Sequence, residues 1–261
     1  MGKMFASLAE VFINDAFGTA HRSHASNVGV AEHLPAAAGL LLEKEINYLG
    51  DTIANPEKPF TAILGGAKVS DKIGVIKNLI EKVDQILIGG GIANTFFAAQ
   101  GFDMADSLVE LEVLDLANEL LQDAREKIIL PIDLVISDKF SNTGEYKVIP
   151  NGSVPTGWRI MDIGPQSLIN FKDFIDNSKT IVWNGPMGVF EFPVFAKGTF
   201  SLAEIIAESS AIAIIGGGDS AAAVNQSGLS GKIAHISTGG GASLKMLEGA
   251  VLPGLEALDD K

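Results

Sequence analysis

Three glycine triplets in this chain each follow a short apolar run rich in β-branched residues. They stand in the segments QILIGGG, AIAIIGGGDS and HISTGGGAS. Glycine allows sharp turns and lets backbone N–H groups approach a ligand without an intervening Cβ. The repeated pattern indicates several strand-to-helix turns of one kind, at which a ligand with a phosphate chain could lie across helix N-termini.

The apolar runs are continuous rather than alternating, which is typical of parallel strands buried on both faces. We predict strands at 60–66, 85–90, 127–133, 179–185 and 211–217. Amphipathic patterns between them predict helices at 70–83, 109–127 and 195–209. This alternation predicts an α/β domain with a doubly wound parallel sheet and helices on both faces, spanning 59–245.

Composition excludes several classes of function. The net charge of the 261 residues is −13, and no basic stripe of the kind that binds nucleic acid is present. Apolar segments are too short and too interrupted to span a membrane. Cysteine is absent, which excludes disulfides and cysteine-ligated metals. We expect a cytoplasmic protein that binds neither nucleic acid nor membrane.

Known phosphate-binding patterns fit only in part. The pattern GxxxxGK[ST] does not occur, and GxGxx[GA] is matched by Gly216, Gly218 and Ala221. The acidic residue that a dinucleotide site places about 20 positions later is missing, which disfavours a generic dehydrogenase. Asp219 directly follows the third glycine, and one carboxylate with phosphate oxygens suits Mg²⁺. Glycines that only make tight turns remain the alternative explanation for any single triplet.

Two further segments carry polar residues at predicted strand ends. Lys68 and Lys72 are four residues apart where a helix begins, so they share a face and could meet phosphates. Asn184, Pro186 and Glu191 follow the predicted strand 179–185, and the carboxylate of Glu191 could hold ribose hydroxyls. Taken alone, the two lysines and Glu191 would more often be solvated surface residues, but the position of the lysines at a strand-to-helix junction favours a phosphate role.

Together, these segments resemble the phosphoglycerate kinase family. The matching motifs are NDAFGTAHR, GGAKVSDKI, IVWNGPMGVFE, IIGGGDSAAAV, STGGGASL and LEGAVLPG, and they extend over nearly the whole chain. The family transfers a phosphoryl group between 1,3-bisphosphoglycerate and ADP, giving 3-phosphoglycerate and Mg-ATP. Its C-terminal domain is a doubly wound sheet of six-stranded type that binds the nucleotide, and its N-terminal domain binds the phosphoglycerate.

The resemblance also implies roles for individual residues. Lys72 would contact nucleotide phosphates, Lys68 the transferring group, and Arg22 the phosphoglycerate. Asp219 would be the Mg²⁺ ligand, and the amides at Gly240 and Gly241 would face the transferring group. The remaining nucleotide-binding residues would be Gly66, Ala67, Gly89, Gly90, Asn184, Pro186, Glu191, Gly217, Gly218 and Ser220. The catalytic set would be Lys68, Lys72, Gly218 and Gly241.

The chain departs from the family mainly at its start, where most N-terminal-domain motifs have no match. The resemblance implies a remnant of that domain at 1–33, an interdomain helix and linker at 34–58, the nucleotide domain at 59–245 and a returning tail at 246–261. We expect that tail to lack the surface on which it docks. Either the sequence is part of a longer kinase, or it is a complete nucleotide-binding module without turnover; in both cases we expect little activity from this piece.

The segment LPAAAGLLLEKEINYLGDTIA is predicted to be one long helix whose first part is apolar on all sides. Such a helix normally has protein around it, and nothing else in the chain is obviously available to cover it. We therefore expect an exposed apolar patch at 34–42 and self-association, although the family is usually monomeric. A smaller departure from the family is Ile160, which stands where glycine is common near the adenine.

Overall fold

The computed structural model describes residues 1–124 and 126–259. The strands in these ranges are β1 (Phe12–Asn14), β2 (Ala36–Ala38), β3 (Phe60–Leu64), β4 (Gln85–Ile88), β5 (Ile128–Ile129), β6 (Asp133–Ser137), β7 (Tyr146–Pro150), β8 (Arg159–Ile163), β9 (Thr180–Asn184), β10 (Ile212–Gly216) and β11 (His235–Ile236). The α-helices are α1 (Gly2–Ala6), α2 (Val28–Ala31), α3 (Leu40–Glu45), α4 (Thr52–Ala54), α5 (Ile73–Leu79), α6 (Gly90–Ala99), α7 (Leu114–Asp123), α8 (Pro165–Asn177), α9 (Lys197–Glu208), α10 (Gly218–Gln226), α11 (Gly241–Leu247) and α12 (Pro253–Glu256).

Six parallel strands form the main sheet in the order β11-β10-β9-β3-β4-β5. Successive side chains along each strand enter opposite cores: Ile63 packs in one apolar cluster, whereas Ala62 and Leu64 pack in the other. The continuous apolar runs are therefore buried on both faces. The predicted α/β class and the six-stranded parallel sheet are confirmed.

The chain order reverses at the centre of this sheet. From β3 the chain moves outward through β4 to β5, and later returns to β9 on the other side of β3 before continuing to β10 and β11. Loops that leave the carboxyl ends of β3 and β9 therefore diverge to opposite faces. This reversal opens a crevice at the place where α/β sheets bind ligands.

One predicted strand was wrong in extent. The run at 127–133 divides at Pro131 into the edge strand β5 and the start of β6, which belongs to a separate sheet. That sheet is antiparallel, in the order β7-β6-β8, and was not anticipated. The short edge strand β11 was also missed, because two residues are too few for a recognisable pattern.

The predicted helices are shorter in the structure. The helix expected at 70–83 is α5, which begins only at Ile73. The residues before it form a turn, in which Lys72 donates its N–H to the Val69 carbonyl. The helix expected at 109–127 begins as α7 at Leu114, after a 3-10 turn at Leu111–Val113, and residue 125 of that prediction lies outside the described residues. The helix expected at 195–209 is α9.

The long helix predicted from residue 34 was wrong at its start. Residues Ala36–Ala38 form β2, which pairs in parallel with β1. The helical region begins only at Leu40, where Asp15 Oδ1 accepts the N–H groups of Leu41 (2.8 Å) and Leu42 (3.0 Å). It then continues through a π-helical segment, Ile46–Asp51, into α4. Pairing with a distant strand has overridden the local helical preference of the alanines.

The expected exposed patch is only partly present. Leu40 is 83% exposed and Leu41 is 38% exposed, whereas Ala36 and Leu42 are buried. Leu42 belongs to the larger apolar core, together with Leu49 and Ile53 from the following helical turns. The domain beginning at residue 59 therefore covers much of the segment that was expected to lack a partner.

The C-terminal tail also packs against another part of the chain. The Gly254 N–H donates to the Ala20 carbonyl (2.8 Å), and Asn14 Nδ2 donates to the Gly254 carbonyl (3.2 Å). Asp259 exchanges hydrogen bonds with the Ala36 backbone in both directions. The expectation that the tail has nowhere to bind is wrong for its described part; residues 260 and 261 lie outside the described ranges. Among the described helices, none is long and apolar enough to cross a membrane.

Candidate functional site

The crevice between β3 and β9 is closed at its base by direct backbone contacts. The Gly65 N–H donates to the Asn184 carbonyl (3.0 Å), and the Gly66 N–H donates to the Pro186 carbonyl (2.9 Å). A Cβ on Gly185 would lie 2.1 Å from the Gly65 carbonyl oxygen, and its φ is +98°. Only glycine permits this approach, so the glycines here are required by loop packing as well as by any ligand.

A polar cavity of about 570 Å³ opens above these loops. The loops after β3, β9 and β10 and the turn before α11 supply its lining. The predicted site residues that line it are Gly66, Ala67, Lys68, Lys72, Asn184, Pro186, Gly217, Gly218, Asp219, Ser220, Gly240 and Gly241. The structure thus brings together residues that lie up to 175 positions apart in the sequence.

Lys72 is the most strongly perturbed cation of this cavity. Burial lowers the pKa of its ammonium group to about 8, although Asp71, Asp219 and Glu248 act in the opposite direction. Its Nζ contacts Asn184 Oδ1. The amide nitrogen of Asn184 is buried and has no hydrogen-bond partner among the described residues. An unpaired buried donor beside a lysine suits an anionic ligand, because a phosphate oxygen would accept from both.

The turn at Gly217 directs the start of α10 toward the cavity. Gly217 has φ +91°, and α10 follows with Asp219 in its first turn. Asp219 is exposed, whereas Ser220 is fully buried and its Oγ accepts the Gly185 N–H at 2.6 Å. The hydroxyl of Ser220 therefore joins the loops after β9 and β10, which is a role that the motif alone did not reveal.

A second, more apolar cavity of about 670 Å³ adjoins the first, and the two share Gly66, Ala67, Pro186 and Asp219. Glu191 and Gly90 line this apolar cavity, and so do Leu108, Val109, Ile160 and Met187. A ligand with a charged chain and a flat apolar group would fill both cavities. Ile160 lies in the wall of this apolar cavity.

Two predicted residues lie outside both cavities. Gly89 packs against Met187 instead, since a Cβ at that position would come within 2.5 Å of the methionine sulfur. Arg22 donates from Nε to His21 Nε2 (3.1 Å), and the His21 ring lies against Gly241, at the edge of the polar cavity. Arg22 is therefore near the predicted transfer point without lining the cavity in this structure.

Glu45 was missed by sequence reasoning and fixes the turn before α11. Its carboxylate contacts His235 Nε2 (2.8 Å) and accepts the N–H (2.8 Å) and hydroxyl (3.0 Å) of Thr238. Burial alone would raise the pKa of Glu45, but these hydrogen bonds outweigh it and the pKa is lowered. No local signal identifies Glu45, because its partners are about 190 residues away.

Glu110 was also missed, and it holds the loop that carries the two lysines. Its carboxylate accepts the Ser70 N–H at Oε2 (2.9 Å) and the Ser70 hydroxyl at Oε1 (2.6 Å). Partial burial alone would raise the pKa of Glu110, but the Ser70 hydrogen bonds and the nearby charge of Lys68 lower it. In the sequence, Glu110 stood within a predicted amphipathic helix and carried no distinguishing mark.

Asp162 is a buried acid in the lining of the apolar cavity. Its carboxylate accepts the N–H of Gly198 (2.7 Å), near the start of α9, and the N–H of Ile163 (2.9 Å). Burial raises the pKa of Asp162 to about 7, despite the opposing effect of these two hydrogen bonds. A Cβ on Gly188 would come within 2.3 Å of this carboxylate, so Asp162 also determines how the loop after β9 packs.

Comparison with known proteins agrees with this architecture. The family model described as phosphoglycerate kinase matches residues 1–250. Curated phosphoglycerate kinases from Limosilactobacillus reuteri and Chloroflexus aggregans are 57% and 53% identical over the whole chain, which spans 66% of the length of each. The chain therefore belongs to the phosphoglycerate kinase family, as its motifs indicated.

Solved structures give the same result. The phosphoglycerate kinase of Coxiella burnetii superposes with a TM-score of 0.93 at 42% identity, covering 98% of this chain and 67% of that protein. The phosphoglycerate kinase of Pyrococcus horikoshii superposes with a TM-score of 0.87 at 37% identity, covering 98% of this chain and 65% of that protein. The fold of the described residues is thus that of the corresponding part of the family.

Proposed function

We propose that this chain carries the nucleotide half-site of a phosphoglycerate kinase and binds Mg-ADP and Mg-ATP. The observation that carries the proposal is the junction of the two cavities. Lys68 and Lys72 line the polar cavity, which continues past Asp219 into the apolar cavity that contains Glu191. A nucleotide has the same order of parts: charged phosphates, a ribose with hydroxyl groups and a flat base.

In this proposal Lys72 and Asn184 bind the nucleotide phosphates, and Lys68 binds the group in transfer. The backbone N–H groups at Gly217 and Gly218 contact phosphate oxygens, and Glu191 accepts the ribose hydroxyls. Gly66, Ala67, Gly90 and Pro186 border the nucleotide, whereas Gly89 and Ser220 support the loops by packing and hydrogen bonding. Gly240 and Gly241 face the transferring group, and Arg22 belongs to the phosphoglycerate side.

The residues present fit a divalent cation that is bound mainly by the nucleotide. Within the described ranges, no three histidine or acidic side chains converge on a point. Of the carboxylates that line the polar cavity, Asp219 would be the ligand, and phosphate and water oxygens would supply the other ligands, which is the usual arrangement for Mg²⁺. When bound, Mg²⁺ would neutralise charge on the phosphate chain.

For the whole protein we propose reversible phosphoryl transfer between 1,3-bisphosphoglycerate and ADP. Such transfer needs little covalent assistance, because positioning and electrostatic stabilisation supply most of the catalysis. The ammonium groups of Lys68 and Lys72 and the amides at Gly218 and Gly241 would stabilise charge on the equatorial oxygens of the group in transfer. Arg22 would hold the acceptor in line from the opposite side.

Calorimetric titration with Mg-ADP tests the nucleotide half-site. We expect the unmodified chain to bind, and Lys72→Ala and Asp219→Ala each to weaken binding by about tenfold or more, since each removes a charged contact. Lys77→Ala, which removes an exposed lysine from α5 outside both cavities, should leave the affinity unchanged. Failure of the unmodified chain to bind Mg-ADP would overturn the proposal.

A spectrophotometric assay of phosphoryl transfer separates the two alternatives that the sequence left open. We expect negligible turnover from the 261-residue chain even where Mg-ADP binds, because Arg22 is the only predicted phosphoglycerate contact that it carries. Robust turnover by the purified chain would show that this half-site is sufficient for catalysis and would contradict that expectation.

A further inference from the structure

The lysine loop, residues 66–72, is held by a carboxylate from another part of the chain. Both oxygens of Glu110 are engaged by Ser70, one by its N–H and one by its hydroxyl. Ser70 lies midway between Lys68 and Lys72, and all three residues line the polar cavity. Two hydrogen bonds at this central point restrict the loop far more than one flexible contact would.

Glu110 is itself anchored on the wall of the apolar cavity. Its N–H donates to Thr95 Oγ1 (3.2 Å) on α6. Leu108 and Val109, which precede it, line the apolar cavity, and the Leu108 carbonyl accepts a hydrogen bond from Asn94 Nδ2 (3.2 Å). The segment 108–110 therefore connects the wall of the apolar cavity to the lysine loop of the polar cavity.

We propose that Glu110 is a positioning residue of the nucleotide site, which holds the lysine loop so that Lys68 and Lys72 present their ammonium groups to the phosphates. This inference rests on the proposed function, since it assigns a role within the same half-site. It concerns the phosphate part of the ligand, because Glu110 acts on the loop that lines the polar cavity.

The proposal predicts a change in phosphate affinity that is opposite in direction to the one expected if Glu110 were only a nearby surface carboxylate. A carboxylate near an anion-binding cavity repels phosphate, so removing its charge would by itself tighten phosphate binding. If Glu110 holds the lysine loop, its removal weakens binding, because the ligand must then order a mobile loop and part of the binding free energy is lost in doing so. The direction of the change in affinity therefore distinguishes positioning from simple proximity.

The test is calorimetric titration of the full chain with Mg-ADP and with Mg-pyrophosphate, a ligand without ribose or base. We expect Glu110→Ala to raise both Kd values by about tenfold, the effect of losing hydrogen bonds to a charged group. Glu110→Gln should have a smaller effect, because its carboxamide keeps one acceptor. Glu112→Gln, which neutralises an exposed carboxylate two residues away, should change either Kd by less than about twofold.

A double-mutant cycle with Ser70→Ala tests whether the effect passes through Ser70. If it does, the loss from Glu110→Ala should be smaller in the Ser70→Ala background than in the unmodified chain. Circular dichroism melting should show that each variant remains folded.

Two results would overturn the inference while leaving the proposed function intact. These are unchanged or tighter binding of Mg-pyrophosphate by Glu110→Ala, or fully additive effects of the two substitutions. Absence of Mg-ADP binding by the unmodified chain would instead overturn the proposed function and this inference with it.

Discussion

At the scale of single residues, burial favours the neutral form of both Lys72 and Asp162, so it shifts their pKa values in opposite directions. Taking Lys72 out of water favours its neutral amine, and taking Asp162 out of water favours its neutral acid. Lys72 lines the proposed phosphate site, whereas Asp162 lies in the lining of the apolar cavity and accepts two backbone N–H groups. The first shift should therefore appear in ligand binding, and the second in stability.

Nucleotide affinity should fall as pH rises through about 8, the pKa of Lys72. Phosphate binds the ammonium form, and the fraction of that form decreases about tenfold for each pH unit above the pKa. Titrations at pH 7 and pH 9 should therefore differ by roughly tenfold in Kd. Lys72→Arg keeps its charge and should show a nearly constant affinity over this range. An equally flat profile for the unmodified chain would contradict the prediction.

The free energy of unfolding should contain a component from Asp162 that decreases between about pH 4 and pH 7. The folded state holds this proton with a pKa of about 7, above the ordinary value of 3.8 for an aspartate, so the folded state binds more protons than the unfolded state in that window. This stabilisation is complete below about pH 3.8, the pKa in the unfolded state, and is lost as pH rises through about 7, the pKa in the folded state. The slope from this group is at most about 1.4 kcal/mol per pH unit.

Urea unfolding at pH 5, 6, 7 and 8 measures this component. Asp162→Asn should remove the slope, and it should also destabilise the protein by roughly 1–3 kcal/mol at pH 5, because one backbone N–H loses its acceptor. Asp173→Asn, at an exposed position on α8, is the matched control and should leave the slope unchanged. Identical slopes for the unmodified chain and Asp162→Asn would show that this acid does not titrate as described.

At the scale of elements, the loops rather than the helices and strands define the site. The glycine turns after β3, β9 and β10 lie together around the polar cavity, and their positions were predictable because glycine after an apolar run is a local pattern. Other elements support the loops of the site: Ser220 of α10 holds the loop after β9, and Glu45 of α3 holds the turn before α11. The start of α3 is itself determined by Asp15 from the segment after β1.

Asp15→Ala should destabilise the chain by about 1 kcal/mol, because α3 loses the acceptor for its first N–H groups. Asp15→Asn keeps an oxygen in the same place and should lose less. Urea denaturation at one pH compares the three proteins. If Asp15→Ala were as stable as the unmodified chain, the cap would contribute nothing, and the start of α3 would depend on strand pairing alone.

At the scale of the whole molecule, the segment before residue 59 and the C-terminal tail pack on the α/β domain and on each other. Ala20 and Asn14 bind the tail at Gly254, and Leu42 enters the main core. A surface with several large apolar side chains is nevertheless left in water, including Ile13, Leu40 and Leu41. Exposed apolar surface of this kind favours association.

We expect the chain to self-associate as its concentration rises and Leu40→Glu to shift it toward the monomer. Leu40 is the most exposed of these three side chains, and a charge there would oppose burial in an interface. Sedimentation velocity over a range of concentrations measures the change, with Lys44→Glu on the same helix as a control for altered charge. A strictly monomeric unmodified chain would contradict the prediction.

The parallel sheet, the positions of the glycine turns and the family could all be predicted from the amino-acid sequence. Continuous apolar runs and glycine turns are local patterns, so physical rules that act within a few residues are sufficient to predict them. The same rules placed Lys72, Asn184 and Asp219 at strand ends, and the structure places all three around one cavity.

Long-range contacts, by contrast, determine that Ala36–Ala38 form a strand, that Asp133 begins the antiparallel sheet and that Glu110 binds Ser70. Each depends on a partner at least 17 positions away, and the free energy of such a contact is absent from any local pattern. Alanines favour a helix until a parallel partner offers hydrogen bonds, and a glutamate in an amphipathic segment is ordinary until a serine from another loop lies beside it.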